Sequence, residues 1–358
     1  MTPVVRRRTT GSHACHALVF LLRQFSDAST VKNMMEDNVR LRPFLAALML
    51  LASAPAVAQM SAMPQELQDR LAEINPNWGK DIRGNIAITQ KLYMPLLKAA
   101  PHNGVEVTRD VSYGPHVRHK LDVFKPKDAK NLPVLVFLHG GAYVAGDRNV
   151  TEEIYANVPL YFARNGMLGI NATYRLAPEA KWPAAAEDVK SIVQWIKTNA
   201  AQYGGDPGRI YLVGHSAGAT HVATYLFHKD IRPQGKPDVA GAVLMSGRYH
   251  FNPHPKDPNL ANFQAYFGTD RSRYEDMSPI THVKGAPPVP LFVVVAEYDN
   301  PDLDTQGALL LAEFCKRDRA CPKFTRMEHH NHLSMVYQFN TKDELMGRKI
   351  LAFIKRGR

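Results

Sequence analysis

Cysteine is nearly missing from this chain: three in 358 residues, Cys15, Cys315 and Cys321. So few exclude a disulfide-built scaffold, and they leave no cysteine pairs at metal-ligand spacing. Long apolar runs are equally scarce. Residues 43–58 (PFLAALMLLASAPAVA) form a run of 16, too short to span a bilayer comfortably. Acidic residues fall short of basic ones, giving a formal charge of +11. Seven Lys/Arg against three Asp/Glu lie in residues 1–58, which leaves about +7 for the rest. No block of Lys and Arg with interleaved aromatics occurs, so nucleic-acid binding is not indicated. Internal repeats are also lacking, which removes the solenoids and propellers.

What is present suits a globular enzyme-sized chain. Hydrophobic residues make up 45% of it, ample for one large core. The run at 43–58 follows Arg40 and Arg42 and ends in Ala56-Val57-Ala58 before Gln59, the pattern of a cleaved secretory signal. Such signals start near the first methionine, so we expect Met34 or Met35 to be the true start and residues 1–33 a doubtful leader. After cleavage no stable membrane insertion is expected, and the protein would be periplasmic or secreted. Export also changes the cysteines: Cys315 and Cys321, six apart, are expected to pair in an oxidising compartment.

Residues 59–104 read as an N-terminal helical cap, with Leu67, Leu71 and Ile74 and then Ile88, Leu92 and Leu96 at helical spacing. Pro76-Asn77-Trp78-Gly79 separates the two stretches, and no chemistry is visible there. From 105 to 358 strands alternate with helices. A hairpin is expected over 105–113 and 119–124, buried strands at 132–138, 168–174, 210–213, 239–245, 291–296 and 324–327. Helices are expected near 151–165, 183–202, 219–227, 304–316 and 342–355. That order predicts an α/β class: a mostly parallel twisted sheet with helices on both faces. The Pro- and Tyr-rich stretch 246–290 is expected to contribute to a substrate site.

The densest chemistry lies at 209–220 (RIYLVGHSAGAT). An apolar strand runs into Gly214-His215-Ser216-Ala217-Gly218 and then into a helix. This is the strand–turn–helix setting of a nucleophile elbow, in which small neighbours allow the sharp turn that exposes the Ser216 hydroxyl. Alongside it stand 139–143 (HGGAY), 174–179 (YRLAPE), 183–188 (PAAAED) and 205–209 (GDPGR). Together these motifs resemble the α/β-hydrolase fold. The similarity is to hormone-sensitive-lipase-like carboxylesterases and the related feruloyl-esterase and kynurenine-formamidase-like hydrolases, over roughly residues 105–355.

The resemblance implies a serine nucleophile at Ser216. It implies an oxyanion hole from the N–H groups of Gly141, Ala142 and Ala217, with Ala142 where the family most often has a third glycine. Gly140 and Tyr143 would line the substrate site, with Tyr249 a further candidate. The order Ser, acid, His places the acid at Asp299, with Asp302 as rival, and the base at His332, with His330 as rival. Glu297 is expected to be a structural hydrogen-bonding residue and His215 elbow filler. No metal is expected from His329, His330 and His332, because no acidic or cysteine partner sits at ligand spacing. No cofactor is implied. The expected activity is hydrolysis of short-chain or aryl carboxylic esters of small molecules through an acyl-enzyme. Amide or formamide hydrolysis on the same residues, or a non-catalytic binding role, are the alternatives. Oligomeric state is not legible.

Overall fold

A computed structural model describes residues 63–235 and 238–356. The leader and signal sequence expected in residues 1–58 lie outside them. The described residues form one compact unit. Its helices and strands, in chain order, begin with α1 (Gln65–Ile74), a 3-10 turn at Asn75–Lys80, and α2 (Ile82–Lys98). There follow β1 (Val105–Ser112), β2 (Lys120–Pro126), β3 (Leu132–Leu138), α3 (Asn157–Arg164), β4 (Leu168–Ala172) and α4 (Ala184–Asn199). The elbow lies between β5 (Gly205–His215) and α5 (Ala217–Phe227). Then come β6 (Gly241–Met245), α6 (Leu260–Phe267), α7 (Tyr274–Met277), β7 (Leu291–Tyr298), α8 (Leu303–Asp318), β8 (Lys323–Asn331), α9 (Ser334–Tyr337) and α10 (Leu345–Arg356).

The eight strands form one sheet in the order β1-β2-β4-β3-β5-β6-β7-β8. β1 and β2 pair antiparallel, as do β2 and β4; every later pairing is parallel. This is the expected fold class. The side chains explain why both faces are covered. Successive residues of a strand point to opposite faces, and β3 sends Val134, Val136 and Leu138 into one core cluster and Leu135 and Phe137 into the other. The first core holds Val189 and Ile192 of α4, Val222 of α5 and Leu310 of α8. Val158 and Phe162 of α3, with Ile350 and Ile354 of α10, fill the second. A continuous apolar strand is what a doubly covered sheet requires.

Several elements differ from expectation, and three of the differences have a local reason. The helix expected from 151 starts at Asn157 because the Thr151 hydroxyl accepts the N–H groups of Glu153 and Ile154, folding 151–156 as turns. β8 runs on to Asn331, whose register with Tyr298 carries His329 and His330 as strand residues rather than loop residues. Residues 246–290 are not a plain loop but hold α6 and α7 between turns. The disulfide Cys315–Cys321 is formed at the end of α8. No helix among the described residues is long and apolar enough to cross a membrane.

Candidate active site

β5 delivers Ser216 at the sheet's carboxyl edge, where ligands of open parallel sheets gather. Its φ of 55° and ψ of −121° are those of a strained turn. The turn is held by the Ser216 N–H, which donates to the Met245 carbonyl at 2.8 Å. Ala217 opens α5 behind it, so its N–H lies in the helix's first turn, where no intrahelical acceptor exists.

The loop after β3 faces this turn. The amides of Gly141, Ala142 and Ala217 have no acceptor among the described residues, whereas the Gly141 carbonyl is turned away to accept the N–H groups of Val144 and Ala145. Gly141 has φ 140°, and a Cβ there would stand 1.9 Å from the Ala145 oxygen, so only glycine fits. Ala142 takes φ 49°, an uncommon conformation for a side-chain-bearing residue. Gly140 permits close approach: a Cβ would meet Ser216 Cβ at 3.0 Å and His215 Nδ1 at 3.1 Å.

Buried groups hold the loop from behind. His139 Nδ1 donates to the Gly140 carbonyl at 2.6 Å, and its ring stacks on Tyr174 at 4.5 Å, whose hydroxyl donates to the His139 carbonyl. Burial lowers the His139 pKa to about 4, so the ring is neutral near pH 7. Arg118 fastens the loop's far end, donating Nη2 to the Gly146 carbonyl at 2.8 Å and Nε to that of Tyr174. Beyond the loop, the fully buried Asp122 accepts Arg148 Nε at 2.9 Å, Asn149 Nδ2 at 2.8 Å and the Asp110 N–H. Burial raises the Asp122 pKa, but these hydrogen bonds and the Arg148 charge outweigh it and hold the carboxyl below its ordinary value.

The candidate acids and the candidate bases differ in their hydrogen-bond partners. Asp299, just past β7, accepts His332 Nδ1 on Oδ1 at 2.6 Å. Its Oδ2 takes the Ser246 hydroxyl and the Ala296 N–H, and Oδ1 also takes the Asn300 N–H. Four donors thus fix both carboxylate oxygens. Asp302 is engaged elsewhere, accepting Arg248 Nη1 at 3.0 Å and Gln306 Nε2 at 3.0 Å. His330 is spent on a buried pair with Asp343 at 3.2 Å and a contact to the Ser334 hydroxyl. Glu297 accepts the His329 N–H and pairs with Arg326, a bracing role as expected.

Ser216 and His332 line one cavity of about 480 Å³ together with Gly140, Gly141, Ala142, Tyr143, His215 and Ala217. Ser216 makes no hydrogen bond to His332 in this structure, and such contacts can tighten when substrate binds. The cavity's apolar wall includes Ile82, Ile86, Tyr155, Leu303, Leu333 and Tyr337; Arg83, Gln90, Asn259 and Asn262 supply polar groups. Tyr143 reaches this cavity, stacked on Tyr266 at 5.4 Å. Tyr249 does not: it is buried packing whose hydroxyl accepts the Gly247 N–H.

Two sequence readings need correction. The segment 59–104 is not chemically silent, because α2 lines the cavity and the preceding turn braces the loops. Trp78 Nε1 donates to Asn300 Oδ1 at 2.9 Å, and Asn75 Nδ2 donates to the His329 carbonyl at 2.9 Å. Nor is His215 mere filler, since its Nε2 lies 2.8 Å from the His332 carbonyl. Ser246 and Arg248 were missed as well. Their one visible signal is position, directly after a parallel strand.

His228, Asp276 and His282 form the one group among the described residues close enough to suggest a metal site. The hydrogen bonds argue otherwise. His228 Nδ1 accepts the Asp230 N–H, so Nε2 carries the proton and donates to the Asp276 carbonyl at 3.0 Å, while Lys229 takes the carboxylate. A ligating nitrogen must be unprotonated.

With this geometry in place, the comparisons converge. Residues 121–230 match the BD-FAE family. The chain is 32% identical over 212 residues to Esterase LipC of Mycobacterium tuberculosis, covering 54% of this chain and 52% of that one. It is 29% identical over 218 residues to the probable carboxylic ester hydrolase LipM of the same organism, covering 53% and 48%. The chain thus spans about half the length of these curated relatives. Among solved structures, a Pyrobaculum calidifontis esterase superposes with a TM-score of 0.63 at 23% identity, over 82% of this chain and 98% of that one. Esterase B from Lactobacillus rhamnosis gives 0.62 at 17%, over 82% and 96%. The chain has the α/β-hydrolase fold. Within that fold it resembles the carboxylesterases and lipases.

Proposed function

We propose that this protein is an exported serine hydrolase that cleaves small carboxylic esters, short-chain or aryl, through an acyl-enzyme. The observation that carries the reading is the His332–Asp299 hydrogen bond at the rim of a cavity shared with Ser216. The names of the similar proteins, esterases and ester hydrolases, point the same way.

In this mechanism Ser216 Oγ attacks the ester carbonyl and its proton passes to His332 Nε2. Asp299 accepts the Nδ1 proton, which fixes the tautomer and stabilises the imidazolium. The carbonyl oxygen becomes negative in reach of the Gly141, Ala142 and Ala217 amides, and each such donor is worth roughly 3 kcal/mol of barrier. Collapse breaks the bond to the alcohol oxygen, which leaves with the proton from His332. Water then repeats the sequence on the acyl-enzyme, giving up its proton to His332 and releasing the acid and free Ser216.

The cavity's size and polar residues favour compact or hydrogen-bonding substrates over long acyl chains. A p-nitrophenyl series from acetyl to palmitoyl, with a feruloyl ester, tests this using the form that starts at Gln59. Turnover highest for acetyl to butyryl or for the feruloyl ester supports the reading. A palmitoyl optimum contradicts the substrate class, and silence across the series contradicts ester hydrolysis. Export rests on residues 43–58 and on the Cys315–Cys321 pair. N-terminal sequencing of periplasmic protein should begin at Gln59; a cytoplasmic, uncleaved product would refute it.

A further inference from the structure

His215 precedes the proposed nucleophile on the elbow and packs against Gly140 of the loop after β3, almost wholly buried at the edge of the cavity, and nothing in the reaction itself calls for an imidazole there. Its surroundings define its state. Nε2 stands 2.8 Å from the His332 carbonyl, which can only accept, so Nε2 bears the proton. Nδ1 is then a bare acceptor, and it is buried without a partner. Burial, and then the neighbouring His332, push the His215 pKa well below its ordinary value, with His139 acting in the same direction. The ring is therefore neutral and makes one hydrogen bond. A buried imidazole with an orphaned nitrogen carries a desolvation cost, which favours an explanation beyond packing.

That one bond falls on the proposed base. The His332 N–H already donates to the Tyr298 carbonyl of β7 at 3.1 Å, on the strand that leads to Asp299. His215 secures the other end of the same residue, so the His332 main chain is tied to the acid's strand on one side and to the elbow on the other. The two rings also lie 4.6 Å apart, centroid to centroid, with 40° between their planes. A base carried on a short connection between β8 and α9 is thereby referenced to the serine it must reach.

We propose that His215 is a positioning residue: its Nε2–H clamps the His332 carbonyl and sets the register between base and nucleophile. The proposal rests on the assignment of Ser216, His332 and Asp299 above. It differs from a packing role in needing a donor at one atom, and this makes it separable. A glutamine side chain can present an N–H near the Nε2 position, an asparagine is too short, and leucine fills the space with no donor.

The test compares His215→Gln, His215→Asn and His215→Leu in the full chain, assayed on p-nitrophenyl acetate across pH and by thermal unfolding. With the clamp lost, His215→Leu and His215→Asn should lower kcat about 10- to 100-fold, the scale expected for a misplaced catalytic group, with KM nearly unchanged. The slackened His332–Asp299 contact should stabilise the imidazolium less, so the acid limb of kcat/KM should move to lower pH. His215→Gln should restore most of kcat and the parent pH profile. Wild-type kcat and profile in His215→Leu would overturn the proposal. So would equal losses in all three variants that follow their melting temperatures, since that is what packing alone produces. Ser216→Ala runs alongside: if it retains turnover, the underlying assignment fails, whereas a silent Ser216→Ala with a fully active His215→Leu defeats only the clamp.

Discussion

Asp299 and Asp302 lie three residues apart on one loop, and only their partners tell them apart. Asp299 has both oxygens committed around His332 Nδ1, while Asp302 closes an ion pair with Arg248. Asp299→Asn should therefore lower kcat by roughly 10⁴-fold, because an amide presents the wrong group to the imidazole. Asp302→Asn should leave kcat within about threefold and cost under about 1 kcal/mol, since a half-exposed ion pair contributes little. Steady-state kinetics with urea unfolding on both variants checks this, and reversed effects would move the acid to Asp302. At this scale the proposed nucleophile and the proposed oxyanion loop were legible as candidates in the sequence, because each occupies a motif with a fixed backbone setting. The sequence placed the acid at Asp299 and the base at His332 but kept Asp302 and His330 as rivals, because what separates them is which hydrogen-bond partners the fold brings to each side chain. His330 is claimed by Asp343 and Ser334, and no local pattern announces that.

Among the elements, the parallel strands were legible because burial on both faces writes itself as unbroken apolar runs such as Leu132–Leu138. Element ends were less so: the β8 extension to Asn331 depends on pairing with β7, and the late start of α3 depends on one threonine hydroxyl. The α1–α2 segment is the instructive case. Its helical spacing was plain, but its contribution to the site comes through long-range contacts, Trp78 to Asn300 and Asn75 to His329. Asn331 closes the same junction by donating to Asn75 Oδ1 and Thr89 Oγ1. Trp78→Phe keeps most of the packing and deletes the bond to Asn300, so it should cost about 1 kcal/mol in urea unfolding and disturb KM more than kcat. Trp78→Ala opens a cavity and should cost about 3–5 kcal/mol. If the phenylalanine variant matched wild type in both stability and KM, the segment would be a passive cover.

For the whole molecule, buried neutral histidines set the acid limit. Burial lowers His139 to about 4 and His221 to about 3, and it lowers His119, His215 and His228 as well. Below an ordinary histidine pKa near 6.5 the unfolded chain takes up protons that the folded chain refuses until about pH 4 or 3. For His139 and His221 stability is thus unaffected above pH 6.5 and falls as pH drops through that window, by about 1.4 kcal/mol per pH unit for each. His221 has an unpartnered Nε2, so His221→Leu should remove one group's worth of slope between pH 6 and 4. An unchanged slope would mean His221 is charged in the fold. The proposed activity places one reactive serine, Ser216, at the centre of the molecule, and one measurement tests that most directly. Intact-mass analysis after a fluorophosphonate, with p-nitrophenyl acetate turnover on the same samples, should give a single adduct on Ser216 and complete loss of activity. Ser216→Ala should show neither adduct nor turnover. An unlabelled active wild type, or a Ser216→Ala protein that still hydrolyses the ester, would contradict the account.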